Sequence, residues 1–92
     1  MKIVIAPSLK RKIKKLHSNA KLELDGALTA LIKNPQLGYC KKGDLAGIYV
    51  YKFRMVNQLT LIAYSMVDDS IIFLSLGSHE NFYRDLKQEL IN

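Results

Sequence analysis

One cysteine, Cys40, stands in 92 residues, so no internal disulfide can brace this chain. The two histidines, His17 and His79, lie too far apart to give a zinc-ligand spacing. Cys40 has no identifiable partner base and reads as a thiol in a loop. No apolar run approaches the roughly 18 residues that a membrane helix needs, and the stretch from Met1 to Pro7 is too short for a signal peptide's apolar region. A cytoplasmic protein with no membrane partner is expected. Walker loops, dinucleotide-binding glycine fingerprints, nucleophile elbows and paired catalytic carboxylates are all missing. The Asp68-Asp69 pair reads as a hairpin turn.

What the chain has is a positive charge surplus, unevenly spread. Fourteen Lys and Arg against eight Asp and Glu leave +6. Residues 1–42 hold ten basic and two acidic residues, residues 43–92 four and six. A basic half in a small domain suits a polyanionic partner, either nucleic acid or an acidic protein, though lysines also coat ordinary solvated helices. With 49% hydrophobic residues, the length suffices for one compact domain over 1–92.

Periodicity supplies the elements. Lys2 to Ala6 reads as an edge strand closed by Pro7. From Ser8, the apolar Leu9, Ile13 and Leu16 recur at helical spacing while Lys10, Arg11, Lys12, Lys14 and Lys15 fill the other positions, which predicts a basic amphipathic helix. Ser18 or Asn19 can cap a second helix with a stripe of Leu24, Ala27, Leu28, Leu31 and Ile32, ending at Asn34-Pro35. Gly38, Gly43 and Gly47 around Lys41-Lys42 predict a loop. The period then becomes two, with strands predicted over 48–55, 59–66 and 71–76, and turns at 56–58 and 68–70. Gly77-Ser78 closes the sheet, and Phe82, Leu86 and Leu90 mark a last helix. The fold class is therefore α+β in the order β-α-α-β-β-β-α, a helical hairpin on a small, mainly antiparallel sheet with a C-terminal helix.

Two places could carry chemistry. In the first strand of the meander, Tyr49, Tyr51, Phe53 and Met55 share one face and Ile48, Val50, Lys52 and Arg54 the other. Lys52 and Arg54 are thus about 7 Å apart on one face, a spacing that suits neighbouring phosphates, or simply a strand's solvated side. In the second place, Gly77-Ser78-His79 precedes a helix on which Tyr83 follows His79, and Arg84 follows Glu80, by four residues. Histidine transfers protons near neutral pH, but at a helix start it equally serves as a capping or packing residue.

The element order, the strand from Gly47 to Arg54 with its Tyr51-Lys52-Phe53-Arg54 pattern, and the ending from Gly77 to Tyr83 together resemble the RelE/ParE superfamily of bacterial toxins. The ending is similar to the Gly-Ser/Thr-His-x-x-Leu-Phe motif of YafQ-like members. The resemblance implies the toxin of a type II toxin-antitoxin pair: a ribosome-dependent mRNA endoribonuclease working without metal or cofactor, with a cognate antitoxin, the ribosome and mRNA as partners. It further implies catalytic roles for His79, Arg54, Lys52 and Tyr83, and RNA contacts by Lys12, Lys14, Lys15, Lys41, Lys42 and Arg84. RelE-like chains commonly place an arginine on the following strand, where this chain has Leu59, Thr60, Leu61 and Ile62. ParE-like relatives use the same fold to inhibit DNA gyrase without catalysis, and a toxin homologue whose catalytic site has decayed would keep only antitoxin binding.

Overall fold

Pro7 has no amide hydrogen for a sheet, and its fixed φ suits the first turn of a helix. It is where the first strand gives way to the first helix in the computed structural model, which describes residues 2–41, 43, 47–78 and 82–91. The elements are β1 (Lys2–Ile5), α1 (Pro7–Lys14), α2 (Ser18–Lys33), a 3-10 turn (Pro35–Leu37), β2 (Tyr39–Cys40), β3 (Tyr49–Met55), β4 (Gln58–Val67), β5 (Ser70–Ser78) and α3 (Phe82–Ile91). The expected α+β order is present, with one strand more.

Arg11, Lys12 and Lys14 crowd the last turn of α1, where the helix dipole favours cations. Neither Ser18 nor Asn19 caps α2. His17 occupies the capping position without a side-chain bond, its carbonyl accepting from the Lys21 amide at 3.0 Å. Asn34 ends that helix and caps the next turn, its side chain accepting from the Gln36 amide at 3.2 Å.

The five strands lie in the order β1-β5-β4-β3-β2, with β1 parallel to β5 and every other pair antiparallel. β3 and β4 meet through a two-residue turn at Val56 and Asn57, both with positive φ, the backbone twist that tight hairpins require. Glu23 of α2 accepts the Val56 amide and ties the hairpin layer to that turn.

One face of the sheet packs on α1 and α2. Leu9, Leu24 and Leu31 meet Ile62, Tyr64, Ile71, Phe73 and Leu76, with Tyr49, Tyr51, Phe53 and Met55 of β3 alongside. The opposite face carries α3, whose Phe82 and Leu86 bury Ile48, Val50, Leu61 and Ala63. Strand alternation therefore places Lys52 and Arg54 on the α3 face, as their spacing predicts.

The glycine-rich stretch is not all loop. Tyr39 and Cys40 pair with Val50 and Tyr49, so the exposed Cys40 thiol sits on an edge strand. Likewise the sheet does not close before Gly77-Ser78. Both residues extend β5 and pair with Leu61 and Thr60. Among the described residues no helix is long and apolar enough to cross a membrane.

Candidate functional site

α3 covers only part of its face of the sheet. Phe82 and Leu86 seat it over the middle of β4, while Lys52 and Arg54 remain exposed on β3. Their cross-strand partners are Leu61, fully buried, and Leu59, 43% exposed, so the cover of α3 ends between these two rows. Neither cation is held by a hydrogen bond or ion pair to a described residue. Two such charges about 7 Å apart on a rigid strand can meet one phosphate and its neighbour with little reorganisation.

The Lys52 row continues through Leu61 to Gly77 on β5. With strands about 4.8 Å apart, the Lys52 backbone stands roughly 10 Å from the junction where β5 turns toward α3. α3 and α1 both meet that junction at Gly77, in ordinary van der Waals contact. A Cβ there would lie 3.8 Å from the Phe82 Cα and 3.7 Å from the Lys12 Nζ.

Lys12 reaches that place because β1 ends at the Ile5 pairing with Phe73, which leaves the outer edge of β5 bare beyond it. Its ammonium donates to the Leu76 carbonyl on that stretch. Thus one cation of α1 is bonded to the sheet at the β5–α3 junction, whereas Lys14 and Lys15 at the end of that helix are exposed.

Tyr83 is half-buried, meeting Phe82 edge-on at 5.1 Å and 85° between ring planes. The Lys41 ammonium lies 5.2 Å above its ring centroid, a cation-π pair joining α3 to the end of β2. Arg84 is exposed on α3 and already has an interaction partner. Lys42 and His79 lie outside the described residues. Of the sequence-derived candidates, Lys52, Arg54, Tyr83 and Lys41 share the α3 face, with Lys12 at its β5 rim. Lys14 and Lys15 stand apart from them. Tyr39, hidden among glycines in the sequence, joins that face through its pairing with Val50.

Among the described residues, no cluster of three or more His, Cys, Asp or Glu could hold a metal ion. Among the described residues, the ionisable group whose proton affinity clearly departs from the ordinary is Tyr64, raised above 10.0 by burial, and it belongs to the other face.

A family model described as the ParE-like toxin of type II bacterial toxin-antitoxin systems matches residues 3–87. No curated protein matches the sequence. Among solved structures, an arginine double mutant of E. coli toxin RelE in the free state superimposes with a TM-score of 0.73 at 17% identity, covering 98% of this chain and 93% of that one. The intact E. coli RelBE toxin-antitoxin complex gives 0.69 at 18% identity, over 86% and 96%. The isolated E. coli RelE toxin gives 0.67 at 16%, over 97% of both chains. At such identities the likeness is one of fold.

Proposed function

Because this chain belongs to the ParE-like toxins of type II bacterial toxin-antitoxin systems, we propose that it acts as a ribosome-dependent mRNA endoribonuclease held inactive by a cognate antitoxin. The observation that carries the reading is the pair Lys52 and Arg54, exposed and uncommitted among the described residues, beside the junction that leads to His79. A gyrase-binding surface needs no such fixed pair of cations.

In this reading an RNA 2′-hydroxyl loses its proton to solvent water and attacks its own adjacent phosphate. The P–O bond to the 5′-oxygen of the next nucleotide breaks, leaving a 2′,3′-cyclic phosphate. Lys52 and Arg54 stabilise the charge gathering on the phosphorane oxygens, and His79 delivers a proton to the departing 5′-oxygen. Tyr83, with Lys41 on its ring, forms the wall of the site on the α3 side. Lys14 and Lys15, with Lys42 and Arg84, supply salt-sensitive, sequence-independent contacts to ribosomal RNA.

The ParE description of the family keeps gyrase inhibition as the second reading. Induction in living cells separates them. Arrest of protein synthesis with mRNA cut inside coding sequence supports the nuclease, and gyrase-linked DNA breaks with translation continuing would replace it by the inhibitor.

A further inference from the structure

The chain has five tyrosines, and four have their rings occupied. Tyr49 stacks on Tyr64 at 5.4 Å, Tyr51 on Phe53 at 6.1 Å, Tyr64 also meets Phe73, and Tyr83 is held between Phe82 and the Lys41 ammonium. Tyr39 is the exception. It is 72% exposed, and among the described residues neither an aromatic ring nor a cation stacks on it.

That exposure comes with a fixed backbone. Tyr39 pairs with Val50, the Gly38 amide before it donates to the Tyr64 hydroxyl at 2.9 Å, and the Lys41 amide after it donates to the Ile48 carbonyl at 2.7 Å. Directly paired residues share a face, so Tyr39 projects on the side of Val50, the side of Lys52 and Arg54. Lys52 is its diagonal neighbour, at roughly 7–8 Å, within reach of long side chains. Lys41, two residues on, lies on the same face with its ammonium turned to Tyr83.

A bare aromatic ring on a rigid strand, flanked by cations, has the features of a platform for single-stranded nucleic acid: the ring stacks on a base while the cations follow the backbone. Burial of one free aromatic also costs little side-chain entropy. We propose that Tyr39 is the base-stacking residue of this face, seating the nucleotide next to the phosphate held by Lys52 and Arg54. The inference rests on the nuclease reading and adds a substrate-binding residue to it. Tyr83, its ring face taken by Lys41, is then a wall of the site and Tyr39 its floor.

The test uses the full chain on ribosomes programmed with an mRNA carrying 4-thiouridine in the decoding codon. Wild type, Tyr39→Phe and Tyr39→Leu are compared for kcat and KM of cleavage, for the cross-linked peptide, for thermal midpoint and for antitoxin affinity. Stacking predicts that Tyr39→Phe stays close to wild type, that Tyr39→Leu loses about five-fold or more in kcat/KM, and that the cross-link maps to the peptide containing Tyr39. The proposal is overturned if Tyr39→Leu folds and cuts as wild type does, if the cross-link maps only elsewhere, or if the substitution weakens antitoxin binding and leaves cleavage intact. A wild-type chain that cuts no mRNA removes the nuclease reading itself, a result separate from equal cleavage by wild type and Tyr39→Leu.

Discussion

The Gly38 amide lies 2.9 Å from the Tyr64 hydroxyl, and a Cβ on Gly38 would fall 2.5 Å from that same oxygen. The hydroxyl also donates to the Pro35 carbonyl at 2.6 Å, so one buried ring ties the start of the turn after α2 to the residue before β2. Replacing Tyr64 by Phe leaves a part-buried amide and carbonyl without their partner and is expected to cost about 1–2 kcal/mol. Gly38→Ala, which must push the ring aside, is expected to cost at least as much. Urea unfolding of both variants checks this, and a Gly38→Ala midpoint equal to wild type would show that the ring yields freely.

The same ring sets an alkaline limit. Burial, the leading cause, raises the Tyr64 pKa above 10.0, with the neighbouring Tyr49 and Tyr51 adding to it and the Gly38 hydrogen bond opposing it. The folded state thus holds the phenolic proton more tightly than the unfolded chain does. This contribution to stability is complete below pH 10 and declines as the pH rises from there through the folded-state pKa. Wild type should lose stability more steeply above pH 10 than Tyr64→Phe does. Parallel curves for the two would assign the alkaline loss to other groups.

Removal of a group that stabilises the transition state, or of a general acid, lowers rates by about 10² to 10⁴. Arg54→Ala and Lys52→Ala, both at exposed positions, should reduce mRNA cleavage in that range and leave the thermal midpoint within a degree or two. His79→Ala should do the same, with partial recovery at lower pH as the solvent supplies the proton. Growth inhibition retained by all three variants would contradict the nuclease assignment.

The lysines of α1 divide into two groups. Lys12 bonds the Leu76 carbonyl, so Lys12→Met should destabilise the fold by about 1 kcal/mol. Replacing Lys14 and Lys15 together by Ser should leave the midpoint nearly unchanged and flatten the salt dependence of ribosome binding. An unaltered slope in the double variant would place the docking surface elsewhere.

Val56 is a β-branched residue at φ 51, a left-handed conformation that costs such a side chain about 1–2 kcal/mol. Its side chain is 53% exposed, while its amide is held by Glu23. Val56→Asn keeps that amide and relieves the backbone, so the thermal midpoint should rise. A fall would mean that the Val56 side chain stabilises the turn in some other way.

The amino-acid sequence by itself determined the local periods: the 3.6-residue stripe of α2, the alternation of β3 that sets Lys52 and Arg54 opposite Tyr51 and Phe53, and the tight turns at Val56-Asn57 and Asp68-Asp69. Those features depend on residues a few positions apart, whose side chains fall on one face or the other by backbone geometry alone. The ending from Gly77 to Tyr83 likewise carried the family likeness without any knowledge of packing. Tertiary structure decided what depends on distant partners. β1 lies parallel to β5 at the far edge of the sheet, and only the end of that pairing exposes the Leu76 carbonyl to Lys12, 64 residues away. β2 is two residues long and too short to leave a period, so its existence depends on Val50 and Tyr64 rather than on its own sequence. Tyr39 therefore reads as loop in one dimension and stands on the cationic face in three, because pairing with β3 chooses its side.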